Sequence, residues 1–550
     1  MVRSSLTQAM RFSLNYTDIM ICLGNSQVAE TQSSLVNYDV NACAEQARSW
    51  INVCKYHDHC PNINVTPLPT RILDISNHNV RLHISEGEKY HYCTLSYCWG
   101  GTQPVQLLAS NLESHKTGLE ISCLPQTIQD AIIFTRKLGI EYLWIDSLCI
   151  VQDSIDDKRQ EIAKMATIYK NSYVTIAATN TLRCMDSFLS QRSPPNPEII
   201  IENIPGNCAD RNPGKNSLHL QVFNRPDQEP LNQRAWALQE FVLSPRVVSF
   251  GSQRLSWDCQ TGIRFFDRGN LATAWDVNRN YYPPVPTLVE KSGGRCFYVE
   301  SEYYGWTDYV KDLSRRKMTE ESDKLPAISG IAQHLSLTTD DIYFAGLWKT
   351  SLYLYLMWLQ DAAAKNFHLA AKRPTTYRAP SWSWASVDGA VTFHGLITEE
   401  RFAAKVIHCE TVPVDQNHLF GAVSDGHLVI QGPLRWLDAD AIPEHFHVNP
   451  TELSETGLAR MYLDGDEALP SCTANCLPNG GLESSQLDQR IWLLYLARSE
   501  HGDPSGCVLR QVPQRNDRIF RRIGWFDPSS GSNGTAFWTL DIPVDTITIV

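Results

Sequence analysis

The sequence holds no run of about 18–20 apolar residues, the length a helix needs to cross a hydrocarbon core. The nearest stretch, Ser351 to Leu359, is far shorter and reads as a buried helix. Positive charge is not in excess either. Lys and Arg total 48 against 60 Asp and Glu, a formal net charge of -12. That balance excludes binding to nucleic acid by bulk neutralisation of a phosphate backbone, so no nucleic-acid partner is expected. A secretory leader is not expected, because Phe12 to Leu23 is interrupted by Asn15, Thr17 and Asp18. Phosphate-cradling glycine loops are missing; Gly100-Gly101 is only a pair. Internal repeats and low-complexity tails are missing too, which sets aside the solenoid and tail-driven classes. The 16 cysteines are scattered, and Cys93, Cys98 and Cys149 sit in apolar runs. This is not a dense disulfide framework. Buried thiols in a reducing compartment, and hence a cytoplasmic protein, are the expectation.

What is present is an ordinary globular balance, 43% hydrophobic and 20% charged. A chain of 550 residues exceeds what one hydrophobic core fills. Four spans are expected: an extension over 1–89, an α/β domain over 90–245, a mainly helical region over 246–400 and a β-rich region over 401–550. In the extension, Ala44, Ala47, Ile51 and Cys54 share one helical face, and Pro61 to Pro69 reads as loop.

From Tyr90 the pattern becomes regular. Tyr92–Tyr97 is β-prone and stops at Gly100-Gly101. Ile128, Ala131, Ile132, Thr135 and Leu138 form a helix face between Pro125 and Gly139, which suit its two ends. Tyr142–Ile145 is a second strand. Asp156 and Asp157 open a second helix, at the end where the helix dipole favours negative charge. Tyr173–Ala178 is a third strand. Strand, helix, strand, helix, strand predicts parallel strands joined by crossover helices. Ser193 to Pro230 reads as a long loop, Leu231 to Val242 as helix, and Val247 to Cys259 as two strands about Gly251-Ser252. Trp306 to Ala371 reads as mostly helical, and strand alternation runs from Val406 to a last strand at Thr546–Val550.

Five blocks in order resemble the heterokaryon-incompatibility (HET) domain of filamentous fungi. They are Tyr92-Cys93-Thr94-Leu95-Ser96-Tyr97-Cys98-Trp99-Gly100, Leu124-Pro125 to Gly139, Tyr142-Leu143-Trp144-Ile145-Asp146 to Asp153, Met165 to Ala178, and Arg234-Ala235-Trp236-Ala237-Leu238-Gln239-Glu240. Trp50, Cys54, His57, Cys60 and Leu68 to Arg71 resemble the family's lead-in; Ala345 to Trp348 and Ala379 to Ser386 resemble the region downstream of it in many members. Lys158 stands where many members carry Trp. The resemblance implies a protein of self/non-self recognition and programmed cell death. It also implies a parallel, doubly wound core akin to TIR domains, some of which cleave NAD. Other members lie in fungal biosynthetic gene clusters, so an enzyme of secondary metabolism performing a cyclisation or rearrangement is a second reading. A non-catalytic interaction module is the third.

In open parallel sheets ligands bind outside the C-terminal strand ends. Those ends offer Ser96, Cys98, Trp99 and Gly100; Asp146, Ser147, Cys149, Gln152 and Asp153; and Thr179 and Asn180. As structural residues, Asp146 and Gln152 would cap turns. Trp236 and Glu240, four apart, lie on one helix face. In NAD-cleaving TIR domains a Trp and the catalytic Glu share this spacing, so the resemblance makes Glu240 the key carboxylate. It would stabilise the cationic sugar left as nicotinamide departs. Its structural alternative is an ion pair with Arg234 or Arg246. Glu240 and Asp146 are thus the expected catalytic residues. Ser96, Cys98, Trp99, Gly100, Gln152, Asp153 and Trp236 are expected to bind substrate. NAD enters as substrate and no cofactor is required; an incompatibility partner protein or a small molecule is the expected partner. Cys54, His57, His59 and Cys60 are crowded more tightly than paired zinc knuckles and read as packed helix and loop residues, so no metal is expected. A nucleophile pairing Cys98 or Cys149 with His91 is a weaker reading, since a thiol in an apolar run is usually inert. Trp382 and Trp384 read as core.

Overall fold

The computed structural model describes residues 9–14, 17–25, 38–58, 60–191, 199–201, 216–223, 228–266, 298–337, 339–361, 372–394, 401–438, 446–447, 459–464, 490–498, 504–512, 518–527 and 542–550. Contacts divide the chain into two compact units, Met1–Pro284 and Val285–Val550.

The first unit begins its main layer with α1 (Val40–Cys54), β1 (Arg71–Asp74) and β2 (Arg81–Ile84). Next come β3 (Cys93–Ser96), α2 (Gln126–Leu138), β4 (Tyr142–Trp144), the short α3 (Asp146–Cys149), α4 (Ile155–Lys170) and β5 (Val174–Ala177). The layer ends with α5 (Ala235–Leu243), β6 (Arg246–Phe250), β7 (Leu255–Cys259) and β8 (Gly262–Phe266). The eight strands make one sheet in the order β8-β7-β6-β5-β3-β4-β1-β2.

At its centre β4, β3, β5 and β6 are parallel neighbours. Each is joined to the next in sequence through a helix, as the alternation requires. Beyond them the pairings are antiparallel. The expected all-parallel sheet is therefore a mixed one. Three of the four antiparallel pairings follow from short connections, since β1–β2 and β6–β7–β8 are hairpins, too tight for a crossover; the fourth joins β1 to β4, remote in sequence. Residues 71–84, expected in the extension, supply two strands of this sheet, and 246–266, expected in a helical region, supply three. α1 packs on the same core, with Trp50 and Trp257 ring centroids 6.0 Å apart.

Local signals set the element ends. Ser154 caps α4 by accepting from the Asp157 amide at 3.3 Å. Asp157 also pairs with Arg71 at 2.6 Å and accepts from the Val151 amide at 2.8 Å, tying α4 to β1. Gly139 ends α2 at φ +81, a left-handed conformation glycine adopts without strain. Central β3 and β5 are buried at every position, as strands covered on both faces must be.

A small antiparallel sheet joins Ala9–Leu14, Thr17–Asn25, Asn216–Phe223 and Ile199–Ile201. The last two lie in the segment expected as loop. Asn216–Phe223 pairs with a strand about two hundred residues earlier, so nothing local marks that pairing.

In the second unit, helices at Tyr298–Arg315 and Pro326–Ser336 precede an eight-stranded sheet. Val423–Asp438, Arg490–Arg498, Pro504–Gln511 and Ile519–Asp527 pair in sequence, all antiparallel. Val544–Ile549 then pairs with both the first and the last of these, closing a ring. Trp382 and Trp384 are fully buried, as expected of core residues. Arg522 is buried too, held by Asp464 at 3.0 Å and by the Leu356 carbonyl at 2.7 Å, above the Trp358 ring.

A buried hydroxyl relay fixes α5 to the sheet of the first unit. Thr175 on β5 shares hydrogen bonds with Thr94 at 2.7 Å and Ser244 at 2.5 Å, and Ser244 donates to the Glu240 carbonyl at 2.5 Å. Thr175→Val keeps the shape and removes the relay's centre. Unfolding in urea should show a loss of about 1–3 kcal/mol, the cost of unsatisfied buried hydroxyls; an unchanged midpoint would mean that the relay is idle.

Candidate functional site

The C-terminal end of β3 delivers Ser96, and the end of β4 delivers Asp146 one residue past Ile145. α5 brings Glu240 onto the same place. The Ser96 hydroxyl donates to Glu240 Oε2. Both residues are buried, Glu240 at 3% exposure. Half-buried Asp146 accepts the Trp99 indole N–H at 2.9 Å on one oxygen and the Ser147 amide at 2.7 Å on the other.

Arg234, just before α5, links the two carboxylates. Its guanidinium donates to the Tyr97 carbonyl and acts electrostatically on both Glu240 and Asp146. Burial pushes Glu240 up to about 7; Arg234 and the Ser96 hydroxyl pull it down, and Asp146 pushes it up. Asp146 is likewise raised by desolvation, against the pull of Arg234. On Arg234 burial works against the charge, but Glu240 and Asp146 outweigh it and its pKa rises. Two acids and one cation at strand ends, with one acid poised near neutrality, can hold and move a proton at Glu240 or stabilise a developing cation.

The other expected residues divide. Trp99 belongs to the cluster through Asp146. Gln152 donates to the Asp146 and Ile150 carbonyls, each at 3.1 Å, and exposed Asp153 accepts the Ala109 amide at 2.9 Å. Both brace a loop. Cys98 lies in an apolar group with Ala177, Leu231, Ala237 and Val247, and burial pushes its thiol up to about 11. Gly100 has φ +70, and a Cβ there would meet the Arg183 Cα at 2.6 Å, so the loop's close approach explains this glycine. Trp236 is half-buried and packs against the main core. Thr179 donates to the Phe250 carbonyl at 2.8 Å, and Asn180 to the Gly251 carbonyl at 3.3 Å, fixing a loop to β6.

His91 precedes β3, whereas Cys98 lies past its end and Cys149 past the end of the parallel β4. The suggested nucleophile pairs are thus at opposite ends of the strands. His91 stacks on Tyr173 instead, with centroids 4.6 Å apart. Arg246 donates to the Pro61 carbonyl, which leaves Arg234 as the cation acting on Glu240. Arg234 opens the same sequence block as Glu240, and that block was the signal for it. Tyr97 and Tyr169, deep neighbours of the cluster, carried no signal beyond being aromatic.

A mixed α/β domain that gathers a Ser–Glu–Arg–Asp cluster at its central strand ends is the class so defined. The family model of the heterokaryon incompatibility protein (HET) matches residues 92–240, from the strand that carries Ser96 to Glu240 itself. The chain carries a HET domain over that span. No curated protein and no solved structure matches the chain.

The raised Glu240 has a sign that can be checked. An unfolded carboxyl ionises near 4.5, the folded one near 7, so the folded state binds the extra proton between them. Glu240's contribution is fully present below about 4.5 and is lost as pH rises through about 7, a change on the order of 3 kcal/mol. Glu240→Gln should flatten this part of the profile. Stability curves of the two proteins that stay parallel from pH 5 to pH 8 would contradict the shift.

Proposed function

We propose that this heterokaryon-incompatibility-type protein acts in the cytoplasm as a cell-death effector of self/non-self recognition and cleaves NAD at the Glu240 cluster. The observation that carries the reading is the Ser96–Glu240 hydrogen bond beneath the β3 strand end, with Asp146 and Trp99 beside it. In this reading the ionised Glu240 faces the oxocarbenium-like sugar as the nicotinamide bond breaks, and Ser96 orients the carboxylate. Water supplies the hydroxyl that the ribose gains. Asp146 and Trp99 line the approach, and a distant kinship of the core with TIR domains belongs to the same reading. Glu240 is 3% exposed, so in this reading a dinucleotide reaches its carboxylate only after a local rearrangement.

That same burial favours a second reading, in which the cluster is a structural lock and the domain works by binding another protein. Expression in a yeast host separates the two. The NAD reading expects growth arrest with a fall in cellular NAD and a rise in nicotinamide, both abolished by Glu240→Gln and reduced at least about tenfold by Ser96→Ala, the scale of one lost transition-state contact. Arrest with NAD unchanged would transfer the weight to the interaction module; growth with NAD unchanged would remove the effector reading.

A further inference from the structure

Away from the Glu240 cluster, Cys54, His57, Cys60 and Cys259 bring their ligand atoms within 4.8 Å of one another. Three come from successive turns at the end of α1, where the His57 amide donates to the Cys54 carbonyl at 3.2 Å and the Cys60 amide to the His57 carbonyl at 3.3 Å. The fourth closes β7, two hundred residues further along. His57 Nδ1 lies 3.5 Å from Cys60 Sγ and 3.6 Å from Cys259 Sγ. The Cys54 thiol makes hydrogen-bonding contact with both other sulfurs. A tetrahedral zinc ion with Zn–S of about 2.3 Å and Zn–N of about 2.0 Å sets its ligands roughly 3.5–3.8 Å apart. The nitrogen–sulfur distances match that geometry.

We propose that Cys54, His57, Cys60 and Cys259 form a closed Cys₃His zinc site that ties α1 to the β7–β8 hairpin. Four protein ligands leave no open position, which makes the site structural and not catalytic. Cys54 and Cys259 are buried at 1% and 2% exposure, so the ion is shielded from water. Binding replaces three thiol protons, and zinc with three thiolates and a neutral imidazole carries one negative charge. Arg246, which acts electrostatically on Cys54, sits beside it to offset that charge. The Thr261 hydroxyl, 3.4 Å from Cys60 Sγ, is placed to donate to that thiolate. Crowding in the sequence disguised the site because its fourth ligand is remote. His59 lies outside the described residues.

The test is elemental analysis of the full chain, purified under reducing conditions without chelator. One zinc per chain is expected, with loss of the metal in His57→Ala and Cys259→Ser. Cys43→Ser, which removes a buried thiol of α1 outside the cluster, should retain it. If the ligand variants do not fold, the wild-type protein still decides. Cobalt(II) exchanged into it should show tetrahedral ligand-field bands with thiolate charge transfer, and a mercurial that blocks thiols should release one zinc per chain. A chain that binds no metal after reconstitution with zinc, or one whose unreduced peptide map contains a disulfide among these cysteines, would overturn the proposal. Neither result bears on NAD cleavage, since the cluster around Glu240 shares no residue with this one.

Discussion

A carboxyl group buried beneath the central strand of a sheet is costly unless its surroundings answer it. In the HET-bearing unit that constraint is Glu240, and much of the neighbourhood is arranged to meet it. Ser96 donates to it from the strand end, and Arg234 sits where it acts on both acids. α5 is held in register by the Ser244–Thr175–Thr94 relay, which keeps the carboxylate over the strand end. Removing the cation would take away the pull that opposes desolvation at both acids, and removing Glu240 would take away the stronger of the two acids that hold Arg234 charged.

The central layer could be read from the sequence because its signals are local. Pro125 and Gly139 bracket one helix, Ser154 with Asp156 and Asp157 opens the next, and unbroken apolar runs mark strands covered on both faces. The flanking strands could not be assigned to the sheet in the same way. Arg71–Asp74 and Arg81–Ile84 are short, and the pairing that places them there is with β4, some seventy residues later. At the candidate site, position at predicted strand ends singled out Ser96, Trp99 and Asp146, and the family resemblance singled out Glu240. Position could not distinguish the first three from Gln152, Asp153 and Gly100, which serve loop geometry, because polar residues at strand ends look alike until their partners are known. The metal ligands show the same limit: three lie within seven positions, and the fourth becomes visible only when β7 folds against α1.

In the second unit the same logic appears with the opposite charge. Arg522 is fully buried, and its guanidinium is satisfied by Asp464 and backbone carbonyls while lying over Trp358. The strand Val544–Ile549 removes two exposed edges at once by pairing with strands on both sides.

The span matched by the family model and the sheet of the first unit do not coincide. Of the eight strands of that sheet, residues 92–240 contain β3, β4 and β5, three of its four parallel neighbours. Cut at those bounds, the polypeptide would lose the hairpins on either flank and α1 with them. β4 and β5, strands of three and four residues that are interior in the full sheet, would each be left with a bare edge. The span that the family model matches is here smaller than the sheet it belongs to, and a graft of that span onto another protein would leave the flanking strands behind.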